Sequence, residues 1–289
     1  MTILTETGIA AMRICFYGAG SMAEAIARGL IHEKLVEPSK ISMLNRSNEK
    51  RLAELHERYG VQTVLQGSSN DTYLQEADII FLAMKPKDAA EAISAIAPLL
   101  HSKPLIVSVI AGLSIASMEK LLGADQSIVR TMPNTSSTIG LGATGISYSS
   151  KVTPQQRLIS EAMFQSIGIN AVVEESLQDS VTGVSGSGPA YVYYVMEAMM
   201  KAAEELGLEP DMAKELVVQT VLGAAQMVKQ TGERPEELRR KVTSPNGTTQ
   251  AAIETMTEAG LPEAIVRGMK RSSERAAEIG AVIERSIAE

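Results

Sequence analysis

Short apolar runs alternate with amphipathic stretches along the first 173 residues, and then the alternation stops. Residues 13–17, 41–44, 78–83, 105–111, 128–132 and 144–148 each read as a strand. Their apolar residues run on without polar alternation, the mark of strands covered on both faces, so a parallel sheet is predicted. Helices are predicted over 22–35, 49–59 and 88–100, between successive strands.

From Leu177 onward strand signals vanish and long helical patterns take over. Residues 190–206 are apolar nearly all round for two turns, which predicts a buried helix. Asp211 can cap the next helix, which carries Leu216, Val217, Val221, Ala224 and Val228. Ile265, Met269, Ala276, Ile279, Ile283 and Ile287 form one apolar stripe on the last helix. The expected organisation is an α/β domain over 1–173 followed by an all-helical domain over 174–289. The helical part is too apolar and too short for a comfortable solitary core. Its Met-rich, small-residue surface suits a dimer interface, and the alternative is packing against its own α/β domain alone.

Composition narrows the function classes. Of 289 residues 45% are hydrophobic and 21% charged, with no Trp, three Phe and fifteen Met, so the core is aliphatic. A net charge of −7 without any long basic run argues against a nucleic-acid surface. Cys15 is the only cysteine, which excludes an internal disulfide and a thiolate metal cage, and its apolar strand predicts a buried thiol. His32, His56 and His101 stand apart without metal-ligand spacing, so no metal is expected. No apolar run reaches the roughly 20 residues that a membrane span needs. The first eleven residues lack the basic and apolar segments of a signal peptide. A soluble cytoplasmic protein is expected, with residues 1–11 a disordered tail or an upstream start.

The sharpest chemistry near the beginning is Gly18-Ala-Gly20-Ser21-Met22-Ala23, between the first strand and the first helix. Gly18 permits the tight turn, Gly20 lets a pyrophosphate approach the backbone, and Ala23 lets the helix pack on the strand. The amides of Ser21 and Met22 open that helix, whose N-terminus favours an anion. This is the dinucleotide fingerprint of a Rossmann-type domain. Residues 140–145 match the same spacing of glycines, but a strand-like segment follows them, so they are expected to be a turn between strands. The second strand ends in Asn45-Arg46-Ser47, without the acid that accepts from the ribose hydroxyl of NAD. Arg46 with Asn45 and Ser47 can instead hold a 2′-phosphate, which favours NADPH over NADH, though Ser47 could equally cap the next helix. Met84, Lys85 and Pro86 follow the third predicted strand, where an open α/β sheet binds the nicotinamide half. Lys85 reads as well as an exposed loop lysine.

Toward the other end, Lys241-Val-Thr-Ser-Pro-Asn-Gly-Thr-Thr249 is a small polar loop rich in donors, suited to a carboxylate. Together with the fingerprint, Arg130-Thr-Met-Pro-Asn134 and Gly183-Val-Ser-Gly-Ser-Gly-Pro-Ala-Tyr191, it resembles the pyrroline-5-carboxylate reductase family over nearly the whole chain from Met12. The resemblance implies an N-terminal Rossmann domain and a helical domain that interleaves with a second copy, such dimers often forming decamers. It implies reduction of 1-pyrroline-5-carboxylate to L-proline, the last step of proline synthesis. It also implies that Ser244, Gly247, Thr248 and Thr249 bind the substrate carboxylate, with Thr249 bonded to the ring nitrogen as well. Thr248 and Thr249 sit where a helix is expected to start, which suits an anion, although the hydroxyls could also cap that helix.

Two positions depart from the family pattern. Asn246 stands where the family usually has Gly, and Asn tolerates positive φ better than most residues. Ser136 stands where Pro is usual, which loosens that loop. No histidine or carboxylate pair accompanies these motifs, so catalysis is expected from orientation: the imine needs only a hydride at C5. A β-hydroxyacid dehydrogenase would share Gly183, Gly186 and Gly188 but needs a lysine where this chain has Val192. A cofactor-sensing protein without turnover would keep Gly18 and Gly20 and lose the 241–249 loop, which here is largely intact.

Overall fold

A computed structural model describes residues 8–67 and 71–288, with the side chain of Ala288 excepted. The chain divides into two compact units, one of residues 1–187 and 271–289 and the other of residues 188–270. The division falls later than the junction expected at 173, and the last helix returns to the first unit.

The first unit is built on an eight-stranded sheet in the order β3-β2-β1-β4-β5-β6-β7-β8. The strands are β1 (Ile14–Tyr17), β2 (Ile41–Asn45), β3 (Gln62–Leu65), β4 (Ile79–Leu82), β5 (Leu105–Ser108), β6 (Ile128–Met132), β7 (Gly142–Tyr148) and β8 (Gly168–Val172). β1 to β6 are parallel, β7 runs antiparallel to β6, and β8 is parallel to β7. Consecutive burial of all four residues in β1, β4 and β5 explains their unbroken apolar sequence. β3 and β8 were not expected: both are partly exposed terminal strands and lack such a run.

The covering helices are α1 (Ser21–His32), α2 (Glu49–Tyr59), α3 (Asp71–Gln75), α4 (Ala89–Ile96), α5 (Ile115–Leu122), α6 (Pro154–Gln165) and α7 (Gln178–Val181). α1 stops three positions before Leu35 because Lys34 turns to φ 54°. The region 88–100 is α4 flanked by two 3-10 turns rather than one helix. α2 begins at the Asn48 cap, whose side chain accepts from the Arg51 amide, so Ser47 does not fill that role. Of the expected tail, residues 1–7 lie outside the described residues. Ile9, in a 3-10 turn, is fully buried in the same core cluster as Phe16 and Leu30, so the tail expectation does not hold there.

The second unit carries α8 (Gly188–Glu205), α9 (Pro210–Thr231), α10 (Pro235–Lys241), α11 (Thr248–Glu258) and the first part of α12 (Leu261–Ala288). α9 begins with Pro210 at its first position and has no side-chain cap, so Asp211 lies inside the first turn instead of capping it. α8 corrects a second expectation. None of its residues is buried in the single chain, and Tyr194 is 76% exposed. Its first two turns are apolar nearly all round, and the single chain leaves them open to solvent. No helix among the described residues is long and apolar enough to cross a membrane.

Candidate cofactor and substrate sites

β1 is the point where the strand order reverses, with β2 on one side and β4 on the other. The crevice beyond the carboxyl ends at such a point is where open α/β sheets bind ligands. The sequence-derived cofactor residues fall there: Gly18, Gly20, Ser21 and Met22 after β1, Asn45, Arg46 and Ser47 after β2, and Met84, Lys85 and Pro86 after β4.

The turn after β1 is very tight. Gly18 has φ 121°, and a Cβ there would stand 2.4 Å from the Ala83 carbonyl oxygen. Its amide donates to the Leu44 carbonyl at 3.0 Å and the Ala83 amide donates to the Tyr17 carbonyl at 3.0 Å, so the end of β1 is fastened to both neighbouring strands. A Cβ on Gly20 would meet nothing within 4 Å, so the space beside its backbone is open. Gly20 is the residue before α1, and no side chain caps that helix. An open cradle and an uncapped helix N-terminus fit a pyrophosphate. Ala23 is fully buried beneath the turn.

At the end of β2, Asn45 Oδ1 accepts from the amides of Ser47 and Asn48 at 3.1 and 2.9 Å. Arg46 projects with its side chain 75% exposed and lies 4.0 Å from Asp88. Met84 and Pro86 are half-buried, and Lys85 is exposed. Cys15, beneath the turn on β1, is fully buried, and burial pushes its thiol up to about 12 against a weaker opposing hydrogen bond from Ser42. It is inert packing. The glycines at 140–145 run from the end of a 3-10 turn at Gly140 straight into β7, and no helix begins there.

The polar turn lies in the other unit. Asn246 has φ 59°, the left-handed conformation for which glycine is the usual choice. Its amide donates to Gln250 Oε1 at 2.8 Å. Gly247 precedes α11, and a Cβ on it would stand 2.5 Å from Ser244 Oγ. Thr248 and Thr249 are the first two residues of α11, which has no side-chain cap, so their backbone donors are left for another acceptor. The hydroxyls of Thr248 and Thr249 therefore do not cap their own helix. Ser244, Gly247, Thr248 and Thr249 are gathered within one turn.

Two segments that carry the resemblance meet within the first unit. Asn134 Nδ2 donates to the Ser185 carbonyl at 3.0 Å, and its Oδ1 accepts from the Ala143 amide at 3.3 Å. Gly186 lies against Met132, where a Cβ would be 2.6 Å from the methyl carbon. Residues 182–186 form a π-turn that makes this approach.

A family model described as pyrroline-5-carboxylate reductase dimerisation matches residues 175–279, and one described as NADP oxidoreductase, coenzyme F420-dependent, matches residues 13–112. Pyrroline-5-carboxylate reductase 2 of Bacillus subtilis is 42% identical over 278 residues, covering 94% of this chain and 99% of that relative. The chain belongs to the pyrroline-5-carboxylate reductase family. Solved structures of that family agree. The Coxiella burnetii reductase matches with a TM-score of 0.85 at 36% identity, over 93% of this chain and 98% of the other. The Plasmodium falciparum pyrroline carboxylate reductase with NADP bound also gives 0.85, at 27% identity, over 94% and 100%.

Sequence reasoning passed over two groups near these segments. Arg130 on β6 is buried and pairs with Glu175 and Asp179 at 3.2 and 3.1 Å, while Glu175 also accepts from the Ile115 amide at 2.7 Å. Glu24 in α1 gathers donors from α2, among them Arg51. No local spacing announces either group, because each joins elements far apart in the chain.

Proposed function

We propose that this chain reduces 1-pyrroline-5-carboxylate to L-proline, with NADPH preferred as the hydride donor. The turn at 243–249 carries the reading: a helix start without a side-chain cap, shaped by a left-handed Asn246 and a glycine that lets Ser244 close in. Such a turn presents backbone donors and hydroxyls to a carboxylate. Ser244, Gly247, Thr248 and Thr249 hold that group. The Thr249 hydroxyl also meets the ring nitrogen and fixes the C=N bond in one orientation. A bound dinucleotide would supply a hydride to C5 of the N-protonated imine, the C=N π pair becoming the nitrogen lone pair, which then takes a proton from solvent. The chain contributes orientation and exclusion of water rather than a titrating acid.

The NADPH preference rests on two observations. The Asn45 side-chain oxygen is taken by its own loop amides, so it is not offered to a ribose hydroxyl. Arg46 stands exposed beside it, 4.0 Å from Asp88. Ser21 and Met22 face the pyrophosphate, and Met84, Lys85 and Pro86 border the nicotinamide. The helical region pairs two copies and covers faces such as Tyr193 and Tyr194, and decamers of such pairs are the larger assembly proposed.

NADPH oxidation in the presence of 1-pyrroline-5-carboxylate is the direct assay, and its absence would end this reading. Thr249→Ala is expected to lower kcat/KM by about 10- to 100-fold, the range for a hydrogen bond to a charged group. Unchanged kcat and KM would remove Thr249 from the ring nitrogen. Arg46→Ala is expected to weaken NADPH about tenfold in a fluorescence titration while NADH binding stays level. Equal losses for the two dinucleotides would take the 2′-phosphate away from Arg46.

A further inference from the structure

The fingerprint turn is held from outside its own segment. Arg51, in the first turns of α2, donates from Nε to the Ala19 carbonyl at 3.2 Å and from Nη2 to the Glu24 carboxylate. Ala19 lies between the two glycines. Because the peptide is planar and trans, fixing its carbonyl on Arg51 fixes the Gly20 N–H to the opposite side. One guanidinium thereby sets the direction of the first donor in the cradle.

The second partner matters for charge. Glu24 lies in the first turn of α1, the helix whose N-terminus opens that cradle. A bare carboxylate there would repel a pyrophosphate. Glu24 also accepts from Arg58 at 3.0 Å and from the Tyr59 hydroxyl at 2.7 Å, so all its donors come from α2. Burial raises the carboxyl pKa, but the hydrogen bonds from Arg51 and Tyr59 with the two arginine charges outweigh it and hold it below the usual value. The group is thus ionised and neutralised where it stands. Arg51 itself is 22% exposed, unlike the outward Arg46.

We propose that Arg51 is a positioning residue for the pyrophosphate of the dinucleotide, fixing the Ala19–Gly20 peptide and cancelling the Glu24 charge without touching the ligand. This rests on the cofactor reading above. It assigns the two arginines different halves of the recognition, Arg46 to the 2′-phosphate and Arg51 to the pyrophosphate.

The test compares binding of NADPH, NADH and adenosine 2′-phosphate, the last carrying the 2′-phosphate but no pyrophosphate. Arg51→Ala is expected to raise Kd for NADPH and NADH alike by about tenfold and to leave adenosine 2′-phosphate within about twofold. At saturating NADPH its kcat should match wild type, so the loss appears in cofactor affinity alone. Arg51→Lys should recover only part of the affinity, since one ammonium does not reproduce the fork that meets both acceptors. It also serves as the test variant if Arg51→Ala does not fold. Wild-type affinity for both dinucleotides in these variants would overturn the proposal. So would a loss confined to NADPH and adenosine 2′-phosphate, which would put Arg51 on the 2′-phosphate. If the wild-type protein binds neither dinucleotide, the cofactor reading itself falls, and this with it.

Discussion

Gly18→Ala is expected to abolish dinucleotide binding and to destabilise the first unit by about 3 kcal/mol, from backbone strain and overpacking together. The reason is geometric. At φ 121° an L-residue is strained whatever the space, and here the added Cβ would sit 2.4 Å from the Ala83 carbonyl oxygen. That oxygen belongs to the backbone after β4 and cannot swing aside as a side-chain tip could. Relief would have to move the turn, and the turn is the cradle. Gly20→Ala is the internal control: its φ is −76° and nothing lies within 4 Å. It should leave stability within about 0.5 kcal/mol of wild type, as a surface substitution does, and lower affinity by placing a methyl where the ligand comes. Urea unfolding and NADPH titration on both variants check this. Equal unfolding midpoints for wild type and Gly18→Ala would contradict the geometry.

Arg130→Ala should cost about 3 kcal/mol, the lower end of what breaking a buried pair costs, because Glu175 and Asp179 are each about a third exposed and water can reach them. The guanidinium joins β6 to the segment that leads into the small-residue turn at 182–186. Glu175 passes the restraint on to the start of α5 through the Ile115 amide. Without Arg130 the two carboxylates face each other without a counter-charge. Adding Glu175→Gln and Asp179→Asn to Arg130→Ala should therefore recover part of the loss, whereas a plain cavity would not respond to those changes. Thermal and urea unfolding of the single and triple variants separate the two, and no recovery would mean that the arginine acts by packing alone.

What could be read from the sequence was what is local. The four-residue apolar runs gave β1, β4 and β5, and the helix at 49–59 was read to its observed ends, because burial on both faces or a clear amphipathic stripe leaves a continuous signature. The Gly18–Gly20 turn was legible because turn chemistry is confined to a few residues, whereas the positive φ of Asn246 agrees with the glycine that the family resemblance puts there. β3 and β8 escaped because a terminal strand half open to water has no obligatory apolar pattern. The apolar first turns of α8 were read from the sequence, and the single chain leaves them exposed. Hydrophobicity records that a face is covered and not which molecule covers it. Arg51 and Arg130 escaped for another reason: Ala19, Glu24, Glu175 and Asp179, which they hold, lie 32, 27, 45 and 49 residues away, joined only when the elements pack.

The contact between Gly112 and Gly280 carries a consequence for how the protein is made. Gly280 on α12 sits so close to the loop after β5 that a Cβ on it would stand 2.8 Å from the Gly112 oxygen, and Ile283 joins the buried cluster that includes Ile106, Ile110 and Met118, with Ile279 and Ile287 packed against it. The unit that emerges first from the ribosome is therefore finished only by residues 271–287, after the whole helical insert has been translated. Until then the cluster on that side of the sheet lacks Ile283 and the cover of Ile279 and Ile287. A chain that must wait in that state favours early help from chaperones.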